Sequence, residues 1–154
     1  MPSTVRLPDG AYVSALRRRE DTEIPDQLPT MQNWIEAVAS RDGGKSWNFL
    51  SRVASTDRGE RNGNPPSLVR LADGRLCVTY GYRGVPYGIR PKLSADQGRT
   101  WCKEILLRGD GVTWDIGYTR TVVRPDGKLV TSYYYATPEQ PEQHIAATIW
   151  EPGR

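Results

Sequence analysis

Val69-Arg70-Leu71-Ala72-Asp73-Gly74-Arg75-Leu76-Cys77 decides how this chain folds, because the chain contains that pattern three times. The other copies are Val5-Arg6-Leu7-Pro8-Asp9-Gly10-Ala11-Tyr12-Val13 and Val122-Val123-Arg124-Pro125-Asp126-Gly127-Lys128-Leu129-Val130. Each is a short β run, an Asp-Gly pair and a second β run, the strongest local signal for a hairpin. Asp and Gly both tolerate positive φ, so the pattern predicts the tight primed turns.

A second repeat is interleaved with the first. Ser40-Arg41-Asp42-Gly43-Gly44-Lys45-Ser46-Trp47 and Ser94-Ala95-Asp96-Gln97-Gly98-Arg99-Thr100-Trp101 share the frame Ser-x-Asp-x-Gly-x-[Ser/Thr]-Trp. Asp42 and Asp96 are placed to accept backbone N–H bonds within their own turns. Gly44 and Gly98 supply left-handed geometry, and Trp47 and Trp101 are expected to pack between sheets. Each copy joins two β runs, Trp34 to Ala39 with Trp47 to Ala54, and Tyr87 to Leu93 with Trp101 to Leu107. The unit is therefore a hairpin, a connection and a second hairpin, repeated at propeller-blade spacing.

The reading is all-β. Residues 1–154 form one partial propeller domain of three four-stranded antiparallel blades, at about 3–54, 65–108 and 118–150, the third with only three strands in hand. Closed propellers need about four to eight blades. Three cannot close, so the expectation is the C-terminal half of a six-bladed ring. The remaining blades would come from a missing N-terminal half or a second chain.

Composition narrows the function classes. Lys+Arg 21 against Asp+Glu 18 leaves a net charge of +3 without a one-sided block, which argues against a dedicated nucleic-acid binder. No apolar run approaches the roughly 18 residues of a membrane span. Fifteen Gly and twelve Pro are too many for a helical bundle of this length. Cys77 and Cys102 fall on the second and fourth strands of one sheet. At about 4.8 Å per strand they lie beyond the ~7 Å reach of a disulfide, so both read as free packing residues. No His/Cys cluster has metal-ligand spacing and no Gly-rich loop precedes a helix, so no metal or cofactor is expected. Met1-Pro2-Ser3-Thr4 runs straight into a strand without a leader's apolar core. Any leader would lie upstream, and the compartment stays open.

The paired boxes resemble the Asp-box of sialidases and related BNR-repeat proteins, with Ser40, Asp42, Gly44, Trp47, Ser94, Asp96, Gly98 and Trp101 as its structural residues. The whole chain resembles the C-terminal half of a sialidase-like (neuraminidase-type) six-bladed exo-glycoside hydrolase. That resemblance implies a carbohydrate substrate carrying a carboxylate, gripped by arginines, and a tyrosine nucleophile, the noted exception to two-carboxylate glycosidases. Tyr118 maps to the nucleophile, eight residues before Asp126. Arg83 maps to one clamp arginine, and Arg17, within Arg17-Arg18-Arg19, to another. The family's Glu partner, first arginine and Asp acid/base fall outside this chain.

Propeller topology sends ligand to the loops joining strand two to three and strand four to the next blade. Those loops run Arg17 to Asn33, Tyr82 to Gly88, Ala136 to His144, Ser55 to Pro66 and Gly109 to Tyr118. The candidate ligand residues are Arg17, Arg18, Arg19, Arg83 and Asp115, with Glu60 and the lone His144 as weaker loop and strand residues. Guanidinium groups suit a carboxylate because they bind it with two parallel hydrogen bonds. The alternative is a non-catalytic propeller that binds carbohydrate or protein.

Overall fold

The computed structural model describes residues 1–22, 30–59 and 61–153. Among them every regular element is a strand: β1 (Ser3–Arg6), β2 (Tyr12–Thr22), β3 (Thr30–Ser40), β4 (Asn48–Ser55), β5 (Ser67–Arg70), β6 (Leu76–Tyr82), β7 (Gly88–Ser94), β8 (Gly117–Val123), β9 (Leu129–Tyr135) and β10 (His144–Trp150). They form three antiparallel sheets, β1-β2-β3-β4, β5-β6-β7 and β8-β9-β10.

The three Asp-Gly hairpins fold alike, though not as primed two-residue turns. Leu7 N donates to Ala11 O (2.8 Å) and Gly10 N to Leu7 O (3.0 Å), with matching pairs at Leu71/Arg75 and Arg124/Lys128. Only the glycine carries positive φ, 85° at Gly10, 89° at Gly74 and 81° at Gly127. This is the three-residue loop, a type I turn closed by a left-handed glycine. The aspartate works through its side chain: Asp9, Asp73 and Asp126 each accept the backbone N–H two residues on, at 3.0–3.1 Å.

The four-strand expectation fails in the second sheet, where Trp101 to Leu107 forms no named strand. Cys102 N donates to Leu93 O (2.8 Å), Ile105 N to Pro91 O (3.0 Å) and Leu107 N to Ile89 O (3.0 Å). The three steps from Cys102 to Ile105 thus face two steps of β7, from Leu93 to Pro91, as at a bulge. Pro91 turns its carbonyl toward this segment and has no N–H to return a bond, so the ladder breaks there. The first hairpin departs differently. β2 and β3 pair through to Thr22↔Thr30, so Arg17 to Arg19 and Asn33 lie in strands rather than in a loop.

The sheets stack side by side. Leu76, Val78 and Tyr80 of β6 pack on Val13, Ala15, Ile35 and Ala37 of the first sheet, while Cys77 faces Leu129 and Trp150 of the third. Burying each such aliphatic side chain contributes about 1.5–3 kcal/mol. Thr79, Thr121 and Thr131 link the second and third sheets through a buried hydroxyl chain of 2.7 and 2.9 Å. Each hydroxyl has at least one partner in that chain, which keeps burial of those groups inexpensive.

Both Ser-x-Asp-x-Gly-x-[Ser/Thr]-Trp turns close on their aspartate. Asp42 accepts from Ser40 Oγ (2.8 Å), Ser46 N (2.9 Å) and Ser46 Oγ (2.5 Å). Asp96 accepts from Ser94 Oγ (2.8 Å), Thr100 N (2.8 Å) and Thr100 Oγ1 (2.6 Å). Trp101 packs between sheets, its Nε1 donating to Ser51 Oγ of β4 (3.0 Å). Trp47 does not, being 41% exposed with its Nε1 on Gly44 O (3.1 Å). Both cysteines are free; Cys77 is buried, but Cys102 is exposed rather than a packing residue.

Candidate functional site

The site is built where β8 begins. Gly117 (φ 114°) and Tyr118 (φ 50°) both lie in the left-handed region, and the β8–β9 register slips between Gly117 and Arg120. A bulky side chain at positive φ is a conformational outlier that the surroundings must enforce. Asn64 enforces it. This fully buried amide donates to Ile116 O (2.7 Å) and accepts from Tyr118 N (3.0 Å) and Gly81 N (3.3 Å). A Cβ on Gly117 would overlap the Asn64 amide, and one on Gly81 would press on the Gly117 backbone. The two glycines let β6 and β8 approach closely enough for one amide to serve both. The bulge re-aims Tyr118 outward, as bulges do beside binding sites, and leaves the residue 44% exposed.

Arg83 lies beneath it, its side chain only 5% exposed. Its guanidinium donates from Nε to Ile116 O (3.3 Å), from Nη1 to Asn62 O (3.2 Å) and from Nη2 to Tyr134 Oη (2.7 Å). The guanidinium carbon sits 5.3 Å from the Trp114 ring centre and 5.8 Å from that of Tyr118, within cation–π range. Arg61 stands 5.2 Å from the same Trp114 ring. Tyr134 stacks obliquely on Tyr118 at 5.8 Å between ring centres and donates its hydroxyl to Asp115 Oδ1 (2.6 Å). Asp115 Oδ2 accepts from Gln143 Nε2 (2.8 Å), and Arg83 Nη2 lies 3.5 Å from Oδ1.

These contacts set the electrostatics. The Tyr134 and Gln143 hydrogen bonds, with Arg83 beside them, hold the Asp115 carboxyl below its usual range. Burial, with the Asp115 carboxylate second, pushes the Tyr134 phenol upward, so Tyr134 stays a protonated donor at neutral pH. The arrangement is a tyrosine held forward over a cation, with a fixed carboxylate at its flank.

The arginine run divides by strand alternation. Arg17 Nη1 donates to Gly63 O (2.9 Å) and Arg19 Nη1 to Asn62 Oδ1 (2.7 Å). The loop between β4 and β5, through its Asn62 and Gly63 carbonyls, therefore ties Arg17 and Arg83 together. Arg18 points to the opposite face, 3.3 Å from Glu36. His144 opens β10 with its ring on Glu142 O (3.0 Å), and Glu60 lies outside the described residues. The sequence reading missed Asn64, Asn62 and Tyr134. Of these, only Tyr134 left a trace: in Tyr133-Tyr134-Tyr135, strand alternation turns the middle ring away from the other two.

No protein-family model matches the chain, and no curated protein matches it either. Solved structures do match. A protein of unknown function from Dyadobacter fermentans is 32% identical over 97% of this chain and 37% of its own, with a TM-score of 0.65. The GH93 α-L-arabinofuranosidase of Fusarium graminearum, solved with arabinobiose, is 19% identical over 97% of this chain and 44% of its own, TM-score 0.65. The Hadza microbial sialidase Hz136 is 16% identical over 95% of this chain and 27% of its own, TM-score 0.51. The fold is that of glycoside hydrolase propellers. The chain spans less than half the length of each of these three proteins.

Proposed function

We propose that this chain is the part of a sialidase-like exo-glycoside hydrolase that presents the nucleophile, Tyr118, and part of a carboxylate grip, Arg17 and Arg83. The observation that carries this reading is the left-handed Tyr118, which the buried Asn64 amide clamps forward over the Arg83 guanidinium. Strain of this kind clusters at working sites, because only a compensated fold keeps it. In the proposed reaction Tyr118 Oη gives its proton to a base that, like the acid, the chain itself does not supply, and bonds to the anomeric carbon as the glycosidic C–O bond breaks. The leaving oxygen takes its proton from an acid that the chain itself does not supply. A phenol suits a substrate carboxylate, since a carboxylate nucleophile would be repelled by it.

One observation favours a second reading, a neutral sugar bound without attack by Tyr118. Arg83 already bonds two carbonyls and Tyr134 and lies beside Asp115, so much of its capacity is engaged within the protein.

Titration with N-acetylneuraminic acid and with arabinobiose, followed by NMR at the Tyr118 and Trp114 side chains, separates the readings. The expected result is a shift of the Tyr118 ring signals by the acidic sugar alone, weakened about tenfold or more in Arg17→Met, the loss of one charge-assisted contact. Stronger binding of arabinobiose supports the neutral-sugar reading, and silence at Tyr118 with both sugars sinks either. The isolated chain is expected to give little or no turnover of a fluorogenic sialoside.

A further inference from the structure

The loop between β4 and β5 anchors arginines from other parts of the chain and carries one of its own. Asn62 O and Gly63 O accept from Arg83 (3.2 Å) and Arg17 (2.9 Å), and Asn62 Oδ1 accepts from Arg19 (2.7 Å). Arg61, just before them, is fixed through its backbone. Its N–H donates to Asp57 Oδ2 (3.0 Å), and its carbonyl accepts from Asn33 Nδ2 (2.8 Å). Asn33 and Asp57, bonded to each other at 3.2 Å, are 2% and 6% exposed. A buried polar pair is therefore committed to the backbone of one residue. Arg61 itself is exposed, and its guanidinium carbon lies 5.2 Å from the Trp114 ring centre.

The indole is shared. Arg83 lies 5.3 Å from the same ring centre and 5.8 Å from that of Tyr118, so Trp114 sets an exposed cation beside the buried one. The arginines differ in what they can still donate. A carboxylate is gripped best by two parallel N–H groups of one guanidinium. Arg83 already donates from Nε, Nη1 and Nη2 within the protein, and Asp115 stands 3.5 Å from it. Arg17 donates from Nη1 to Gly63 O. Among the described residues the Arg61 guanidinium has no hydrogen bond and no ion pair; Trp114 is its partner. Attraction to the face of an indole holds a guanidinium without consuming its N–H donors, so the whole fork of Arg61 remains available at the mouth.

We propose that Arg61 is a specificity-determining residue of this mouth: its guanidinium, seated on Trp114, takes the carboxylate of an acidic sugar in two parallel hydrogen bonds. Arg61 joins Arg17 and Arg83 in the grip and is the member that makes the two-pronged contact. The inference rests on the reading of the mouth as a site for an acidic sugar, and it names the residue that tells acid from neutral sugar there. The internal bonds of Arg83 are then no obstacle to an acidic ligand, because the open guanidinium stands on the other side of the same indole contact.

Comparing N-acetylneuraminic acid with its methyl ester, which masks the carboxylate, tests this. Dissociation constants come from NMR titration of wild type, Arg61→Met and Arg61→Lys. Wild type is expected to bind the acid about tenfold or more tighter than the ester, the worth of a charge-assisted pair. Arg61→Met removes the charge and should bind acid and ester alike. Arg61→Lys keeps a point charge without the fork and should keep part of the preference. Arg61 is exposed and held by its backbone, so amide spectra of the free variants should overlay on wild type except around Trp114. Full preference for the acid in Arg61→Met overturns the inference and leaves the grip to Arg17 and Arg83, with the acidic-sugar reading intact. A wild type that does not favour the acid overturns both. A preference that Arg61→Met abolishes, with the Tyr118 ring signals unmoved by the acid in wild type, upholds Arg61 and removes Tyr118 as nucleophile.

Discussion

The Asn64 side chain is a buried amide with three backbone partners on two strands and a loop, and Tyr118 keeps its left-handed backbone only while those partners are held. Asn64→Ala would strand Ile116 O, Tyr118 N and Gly81 N, each at a cost of about 1–3 kcal/mol when buried. The expected loss is about 3–4 kcal/mol in urea unfolding, with a displaced Tyr118 amide resonance in the variant that remains folded. Little of this was legible in the sequence. Asn64 sits in Gly63-Asn64-Pro65-Pro66, which reads as a turn, and its partners lie 17 to 54 residues further along. No local pattern encodes a contact across that distance. Tyr118 and Arg83 stood out in the sequence because a resemblance pointed at them; the chemistry that brings them together did not.

At the scale of the element, the Asp-Gly hairpins and the box turns were legible because short-range bonds close them. The ends of β2 and the segment after Trp101 were not, since they depend on tertiary pairing and on which side Pro91 turns its missing N–H. The boxes also set an acid limit. In the fold, hydrogen bonds from Ser46 and Thr100 lower Asp42 and Asp96 from 3.8 to about 2. A depressed carboxyl binds fewer protons folded than unfolded, so its contribution is complete above about pH 4 and is lost as pH falls through about 2. Urea midpoints measured from pH 5 down to pH 2 should therefore decline. The decline should be shallower in an Asp42→Asn/Asp96→Asn double variant, which begins less stable.

At the scale of the whole molecule, the stack of three sheets was legible from two interleaved repeats, and so was the difficulty that three blades do not close. Which faces stay bare became visible only once strand alternation met the packing, as in Trp47 against Trp101. The two thiols report on that packing from different depths. Cys77 lies between the second and third sheets, and burial pushes its thiol up to about 12, whereas Cys102 stands exposed just past the second box. A maleimide reagent at neutral pH should therefore label the native chain once, at Cys102, and twice after unfolding, as intact-mass spectrometry would count. The molecule carries its own gauge of sheet separation: the second label appears only when the middle sheet parts from the third. A fluorophore on the first stands in solvent just past the second box, where it can follow that parting of the sheets without entering the core.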